Sequence, residues 1–231
     1  MFHARAFRLR SQGVSINEIM SASFSYAIEV VAQRGAGDDR AVVVPLHAGV
    51  VIALADGAGG TGNGGLAAQA VIDAVTEGMW KSRAWPTLLS EIDRDAARLR
   101  GGQTTAVVVH VTEDEIVGAS VGDSGAWVIR GSQIEDLTEG QIRKPLLGSG
   151  CHPLAVRAAA LGSGTLLVAS DGLLRYAKPA DIARVAAGAD LAVAAREMVA
   201  LVRLGSGALQ DDVSVVLCRE ARQSVARTKA R

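Results

Sequence analysis

Residues 104–130 read TTAVVVHVTEDEIVGASVGDSGAWVIR, and this stretch decides the fold class. It holds three β-rich runs of strand length, 104–111, 115–121 and 126–130, rich in valine and isoleucine. Asp114-Glu115 and Ser124-Gly125 mark the turns between them. Connections this short leave no room for the crossover that parallel neighbours need, so the three runs are expected to pair antiparallel. Upstream, Phe24, Tyr26, Ile28 and Val30 alternate as in a strand, and 41–44 and 49–55 are further apolar runs of strand length. Leu66, Ala70, Val71, Ala74, Val75 and Met79 recur at helical spacing. A second helix opens near Pro86 and carries Leu88, Leu89, Ile92, Ala96 and Leu99.

Downstream, residues 165–169 read as another strand. A helix follows from Pro179 to about Gly188, and a second runs from an Asp190 N-cap to a stop at Gly205. Residues 213–218 close the chain's ordered part as a last strand. Strands, two helices, consecutive strands, two helices and a strand predict an α+β domain, its antiparallel sheets covered by helix pairs. No period of 20–50 residues and no linker-like segment divides it.

The 231 residues suit one domain, and a formal net charge of zero weighs against a first function of gripping nucleic acid or an anionic membrane. Aromatic content of 3% leaves little for stacking on bases. No apolar run approaches the ~20 residues of a membrane span. Cys151 and Cys218 are spaced neither as a zinc site nor as a disulfide framework, and read as reduced thiols of a cytoplasmic protein. Residues 1–22, with Arg5, Arg8 and Arg10 and no acid before Glu18, are expected to form a disordered extension. Residues 220–231, with Arg222, Arg227, Lys229 and Arg231, are expected to be a solvated basic tail.

The chemistry lies in one repeated pattern. Residues 50–56 (VVIALAD), 119–123 (ASVGD) and 166–171 (LLVASD) each run apolar into an aspartate, with a glycine one or two positions on. Asp38-Asp39 and Asp211-Asp212 stand just before two further strands. Any one of these alone is more often a turn. Five acidic elements gathered at strand ends would repel one another unless cations lay between them, and oxygen ligands select Mg²⁺ or Mn²⁺. On spacing alone, a metal site and a set of turns stand about level.

Six short motifs appear in a fixed order: Arg34-Gly-Ala-Gly-Asp38-Asp39, Asp56-Gly57-Ala58-Gly59-Gly60, Gly102-Gln-Thr104-Thr105-Ala106, Gly122-Asp123-Ser124, Ser170-Asp171-Gly172 and Asp211-Asp212-Val-Ser214. In this order the chain, from about 24 to 219, resembles the metal-dependent protein phosphatases of the protein phosphatase 2C type, in their compact bacterial form. The resemblance implies a phosphatase domain over 23–219 with a four-layer α-β-β-α sandwich, two antiparallel sheets flanked by antiparallel helix pairs. It implies two Mn²⁺ or Mg²⁺ ions, with a third held loosely, and hydrolysis of phosphoserine and phosphothreonine by a hydroxide bridging the ions.

Residue by residue, the resemblance makes Asp56 the bridging ligand, the Gly57 carbonyl a ligand of one ion, and Asp171 and Asp211 ligands of the other. Asp38 and Asp39 would hold metal-bound waters, Asp39 counting among the metal residues and Asp38 standing behind. Asp123 would hold the third ion with Asp171, and Arg34 would grip the phosphoryl group. Asp212 competes with Asp211 and is placed behind it, since the family usually has asparagine there. A phosphorylated protein opposing a serine/threonine kinase is the implied partner, with neither nucleic acid nor membrane. Departures are Ala58, where some members carry a histidine general acid, Gly37 in place of asparagine, and a short segment over 138–164. His47, His110 and His152 are weak substitutes for the missing histidine. Two other functions stay open: a catalytically weak module that binds phosphoproteins, and a hydrolase of small phosphorylated metabolites.

Overall fold

A computed structural model describes residues 7–8, 14–20 and 23–221; for 7–8, 14–20, Thr61 and Ala96 it describes the backbone alone. Twelve strands make two six-stranded antiparallel sheets. The first sheet has the order β1 (Phe7–Arg8), β4 (Arg40–Leu46), β5 (Gly49–Ala55), β6 (Ala106–Val111), β7 (Glu115–Val121), β10 (Leu154–Ala159). The second has the order β2 (Val14–Met20), β3 (Phe24–Val31), β12 (Val213–Glu220), β11 (Thr165–Ala169), β8 (Gly125–Arg130), β9 (Gln133–Asp136). The sheets face each other across Tyr26, Ile28, Ile52, Leu54, Val109, Val128 and Val168, all buried.

The outer face of the first sheet packs under α1 (Gly64–Thr76), α2 (Trp85–Arg94) and α3 (Ala96–Leu99). The second sheet packs under α4 (Asp171–Leu174), α5 (Pro179–Ala186) and α6 (Leu191–Leu201). With both faces covered, the central strands are apolar throughout instead of alternating; all seven residues of β5 are buried. The α+β four-layer expectation therefore holds.

Several details differ from the sequence reading. Residues 7–8 and 14–20, read as part of a disordered extension, are strands. Val14, Ile16, Ile19 and Met20 lie opposite Val30, Ile28, Tyr26 and Ser25, so the backbone of β2 covers what would otherwise be the open edge of β3. The remainder of 1–22 and residues 222–231 lie outside the described residues, and β12 runs on through Glu220. The second helix breaks at Asp95, whose carboxylate accepts from the Arg98 N–H and caps a separate short helix. Asp190 caps α6 as expected, accepting from the Val193 N–H at 2.9 Å, but α6 ends at Leu201, ahead of Gly205. Strands β9 and β10 escaped notice because QIED is mostly polar and exposed and LAVRAA is half alanine, a weak strand former.

Candidate metal centre

Antiparallel pairing brings the ends of β3, β5, β7 and β11 and the starts of β4, β6, β8 and β12 to one end of the sandwich. Every acidic residue singled out above falls on the connections at that end. Asp38 and Asp39 lie between β3 and β4, Asp56 just past β5, and Asp123 between β7 and β8. Asp171 opens α4, and Asp211 and Asp212 lead into β12.

The backbone of Asp56 is held on both sides. Its N–H donates to Thr105 Oγ1 at 2.9 Å, and its carbonyl accepts from the Thr104 hydroxyl at 2.9 Å and the Thr105 N–H at 2.8 Å. Thr105 Oγ1 also shares a proton with Ser124 Oγ at 2.7 Å, which ties the Asp123 turn to the same anchor. Two glycines permit close approach. A Cβ on Gly57 would lie 2.3 Å from the Gly64 carbonyl carbon, and one on Gly172 would lie 1.9 Å from the Asp212 carbonyl oxygen.

Asp38 and Asp212 are occupied in holding chain. Asp38 Oδ1 accepts from the Gly65 N–H at the start of α1 at 3.0 Å. Asp212 Oδ1 accepts from the Gln33 N–H at 2.7 Å, and Oδ2 from the Asp38 N–H at 2.6 Å. Asp211 instead lines the central cleft with Asp56, Gly57, Asp123 and Asp171, in a volume of about 820 Å³. Arg34 lines an adjoining hollow together with Asp38, Asp56, Gly57 and Asp211. Structure thus separates the two adjacent aspartates: one is a latch and the other faces the cleft.

The charges crowd. Burial pushes the Asp56 carboxyl up to about 10, and the neighbouring carboxylates of Asp39, Asp171, Asp211 and Asp123, in falling order, push the same way. Asp39, 1% exposed, is raised to about 7 by burial first and by the Asp212 charge. The nearby Ser214 and Ser170 hydroxyls offset part of that rise, yet neither Asp39 oxygen meets a donor at hydrogen-bonding geometry. Asp171 is raised by burial and then by Asp123 and Asp211, with Arg175 and Arg143 opposing.

These groups fit hard cations. A buried carboxylate with both oxygens outside hydrogen-bonding geometry, beside another whose pKa burial and then four like charges raise, lacks positive charge, and the donors are all oxygen. Among the described residues, however, no three acidic, histidine or cysteine side chains already stand at a spacing that encloses an ion. Asp39, Asp56, Asp123, Asp171 and Asp211 are electrostatic neighbours, and their carboxylates would have to turn inward on binding.

No family model and no curated protein matches the sequence. Solved structures do. The catalytic domain of serine threonine protein phosphatase PstP, in complex with two manganese ions, is 21% identical over 86% of this chain and 99% of its own, with a TM-score of 0.69. RsbX in complex with magnesium is 14% identical over 90% of this chain and 100% of its own, with a TM-score of 0.72. PppA, described as a key regulatory component of T6SS in Pseudomonas aeruginosa, is 17% identical over 87% and 99%, with a TM-score of 0.66. The chain has the serine/threonine phosphatase fold.

Within that fold, residues the sequence reading did not single out also reach the cleft. Arg143 and Lys144, on the segment between β9 and β10, line it with Asp123 and Asp171. Nothing local in the sequence marks them, because they arrive from an irregular segment. The histidine at 110 is packed in β6 beside Trp80 and Trp85, with ring centroids at 5.9 and 6.4 Å, and burial lowers its pKa. Cys151 and Cys218 are free and buried, and burial pushes Cys151 up to about 12, far from a thiolate nucleophile.

Proposed function

We propose that the protein is a metal-dependent phosphoprotein phosphatase that hydrolyses phosphoserine and phosphothreonine, with 23–219 as its catalytic unit. The observation that carries this reading is Asp56, half-buried and facing four other carboxylates at the end of a phosphatase-fold sandwich. Divalent cations bound there, Mn²⁺ or Mg²⁺, supply Lewis-acid polarisation and lower the pKa of water to near neutral. Asp56, the Gly57 carbonyl, Asp171 and Asp211 hold them, with Asp39 closing the buried side.

The rest falls to the chain's own groups. Thr104 and Thr105 fix the Asp56 backbone, so its carboxylate is delivered from a rigid strand end. Arg34, on the rim, offers a planar fork to two phosphoryl oxygens and offsets the charge that grows on them during in-line attack. Lys144 adds a second positive charge to the lining of the cleft. Ala58 has no proton to give to the leaving oxygen. Its substrate is a phosphorylated protein of the cytoplasm, whose dephosphorylation opposes a serine/threonine kinase. Among the described residues no helix is long and apolar enough to cross a membrane.

The deciding assay measures release of phosphate from a phosphothreonine peptide and from p-nitrophenyl phosphate, with Mn²⁺ and with EDTA. Mn²⁺-dependent turnover of both is expected, and Asp56→Ala should abolish it together with Mn²⁺ binding. Turnover of the small ester alone would favour a metabolite hydrolase. Intact Mn²⁺ binding with no turnover of either would favour a phosphoprotein-binding module.

A further inference from the structure

The segment between β9 and β10 is pinned to the centre at two points. The Gln141 side-chain amide donates to the Gly122 carbonyl and, at 3.4 Å, to the Ser124 carbonyl, on either side of Asp123. Leu147 exchanges two backbone hydrogen bonds with Thr104, at 3.1 and 3.2 Å, next to the residues that hold Asp56. Between these anchors Arg143 sends both Nε, at 2.9 Å, and Nη2, at 2.5 Å, to a single oxygen of Asp123. Its charge also reaches Asp171, where it favours the ionised carboxylate.

Asp123 and Asp171 are the two residues that the resemblance assigns to a loosely held third ion. We propose that in this protein Arg143 takes the place of that ion, so that the centre holds two divalent cations and supplies its third positive group from the chain. The inference rests on the carboxylate cluster being a cation site. Geometry supports it: both guanidinium contacts end on Asp123, and the same charge bears on Asp171. A guanidinium keeps its proton at any working pH, and its fork is stiff once both flanks of the segment are tied.

The pair contributes little to folding. Arg143 is 67% exposed and Asp123 25%, and ion pairs at that exposure add little stability. Its effect is to occupy Asp123. A substitution at Arg143 is therefore expected to leave the fold intact, and thermal unfolding of the EDTA-treated variant checks this.

The test is calorimetric titration of Mn²⁺ into the unmodified chain, into Arg143→Ala and into Arg143→Ala combined with Asp123→Asn. Two ions are expected for the unmodified chain. Arg143→Ala should bind a third, at a site at least on the order of tenfold tighter than any third binding by the unmodified chain, the effect of removing one unit charge a few ångströms away. The double variant should lose that extra site. A third ion in the unmodified chain whose affinity does not change in Arg143→Ala would overturn the proposal while leaving the metal centre standing. Loss of the two tight ions in a still-folded Arg143→Ala would also overturn it, because Arg143 would then build the centre instead of filling one of its places. No Mn²⁺ binding by any of the three proteins would remove the metal centre and this inference with it.

Discussion

Asp211 and Asp212 are adjacent in sequence yet should fail in opposite ways. Asp212 accepts two backbone N–H groups, from Gln33 and Asp38, and so holds the β3–β4 connection that carries Arg34, Asp38 and Asp39. A hydrogen bond to a charged acceptor is worth about 1.5–3 kcal/mol net, and at this partly exposed position the lower end applies. Two such bonds put Asp212→Ala at roughly 3 kcal/mol of lost stability, or roughly 6–12 °C in Tm for a domain of this size. Asp211→Ala removes a negative charge that raises the carboxyls of Asp56 and Asp171, and Asp211 holds no other residue's backbone beyond the Asp212 N–H. Its metal-free Tm should stay level or rise, while Mn²⁺ affinity falls. Scanning calorimetry in EDTA, followed by Mn²⁺ titration of both variants, measures the two quantities. A Tm loss in Asp211→Ala equal to that of Asp212→Ala would refute the division of labour, as would Asp212→Ala melting with the unmodified chain.

Proton linkage gives a second outcome. Asp39 and Asp56 have folded pKa values of about 7 and about 10 against an ordinary 3.8, so the metal-free folded state binds more protons than the unfolded one over that interval. Metal-free stability should be greatest below about pH 4 as far as these groups decide it, and should fall as pH rises to neutrality, by at most ~1.4 kcal/mol per pH unit per group. Mn²⁺ should release protons on binding; a metal-free Tm that climbs between pH 5 and 8, or calorimetric heats independent of buffer ionisation, would contradict this. Gly172→Ala is expected to be among the most damaging small substitutions, since its Cβ would meet the Asp212 carbonyl at 1.9 Å. Soluble expression with an unchanged Tm would show that the Asp171 turn is looser than described.

The parts of this molecule that could be read from sequence are those whose cause is local. β-rich runs and short turns between 104 and 130 announced antiparallel strands, and Asp190 announced a helix start, because a cap and a turn are decided by residues a few positions apart. The acidic strand ends were visible for the same reason, but not their roles. Asp211 and Asp212 part company only because Gln33 and Asp38, about 175 positions earlier, turn their N–H groups toward one of them. Arg143 carried no local sign at all, since its meaning comes from where Gln141 and Leu147 tie an irregular segment. β2 was missed because an edge strand is recruited by its neighbour's unpaired backbone more than by its own pattern.

At the carboxylate end several strands finish or begin on small residues: Ala55, Ala106, Gly125 and Ala169. The bulky ones, Phe24, Tyr26, Ile116 and Leu161, gather at the far end. Asp39 and Asp56 sit on the first sheet and Asp171 and Asp211 on the second, so the molecule is built like a clothes-peg. Its apolar far end is the spring, and its jaws bear like charges. Unless cations lie between them those jaws repel, so the charge that suits the site to metal works against the closure of the sandwich at that end.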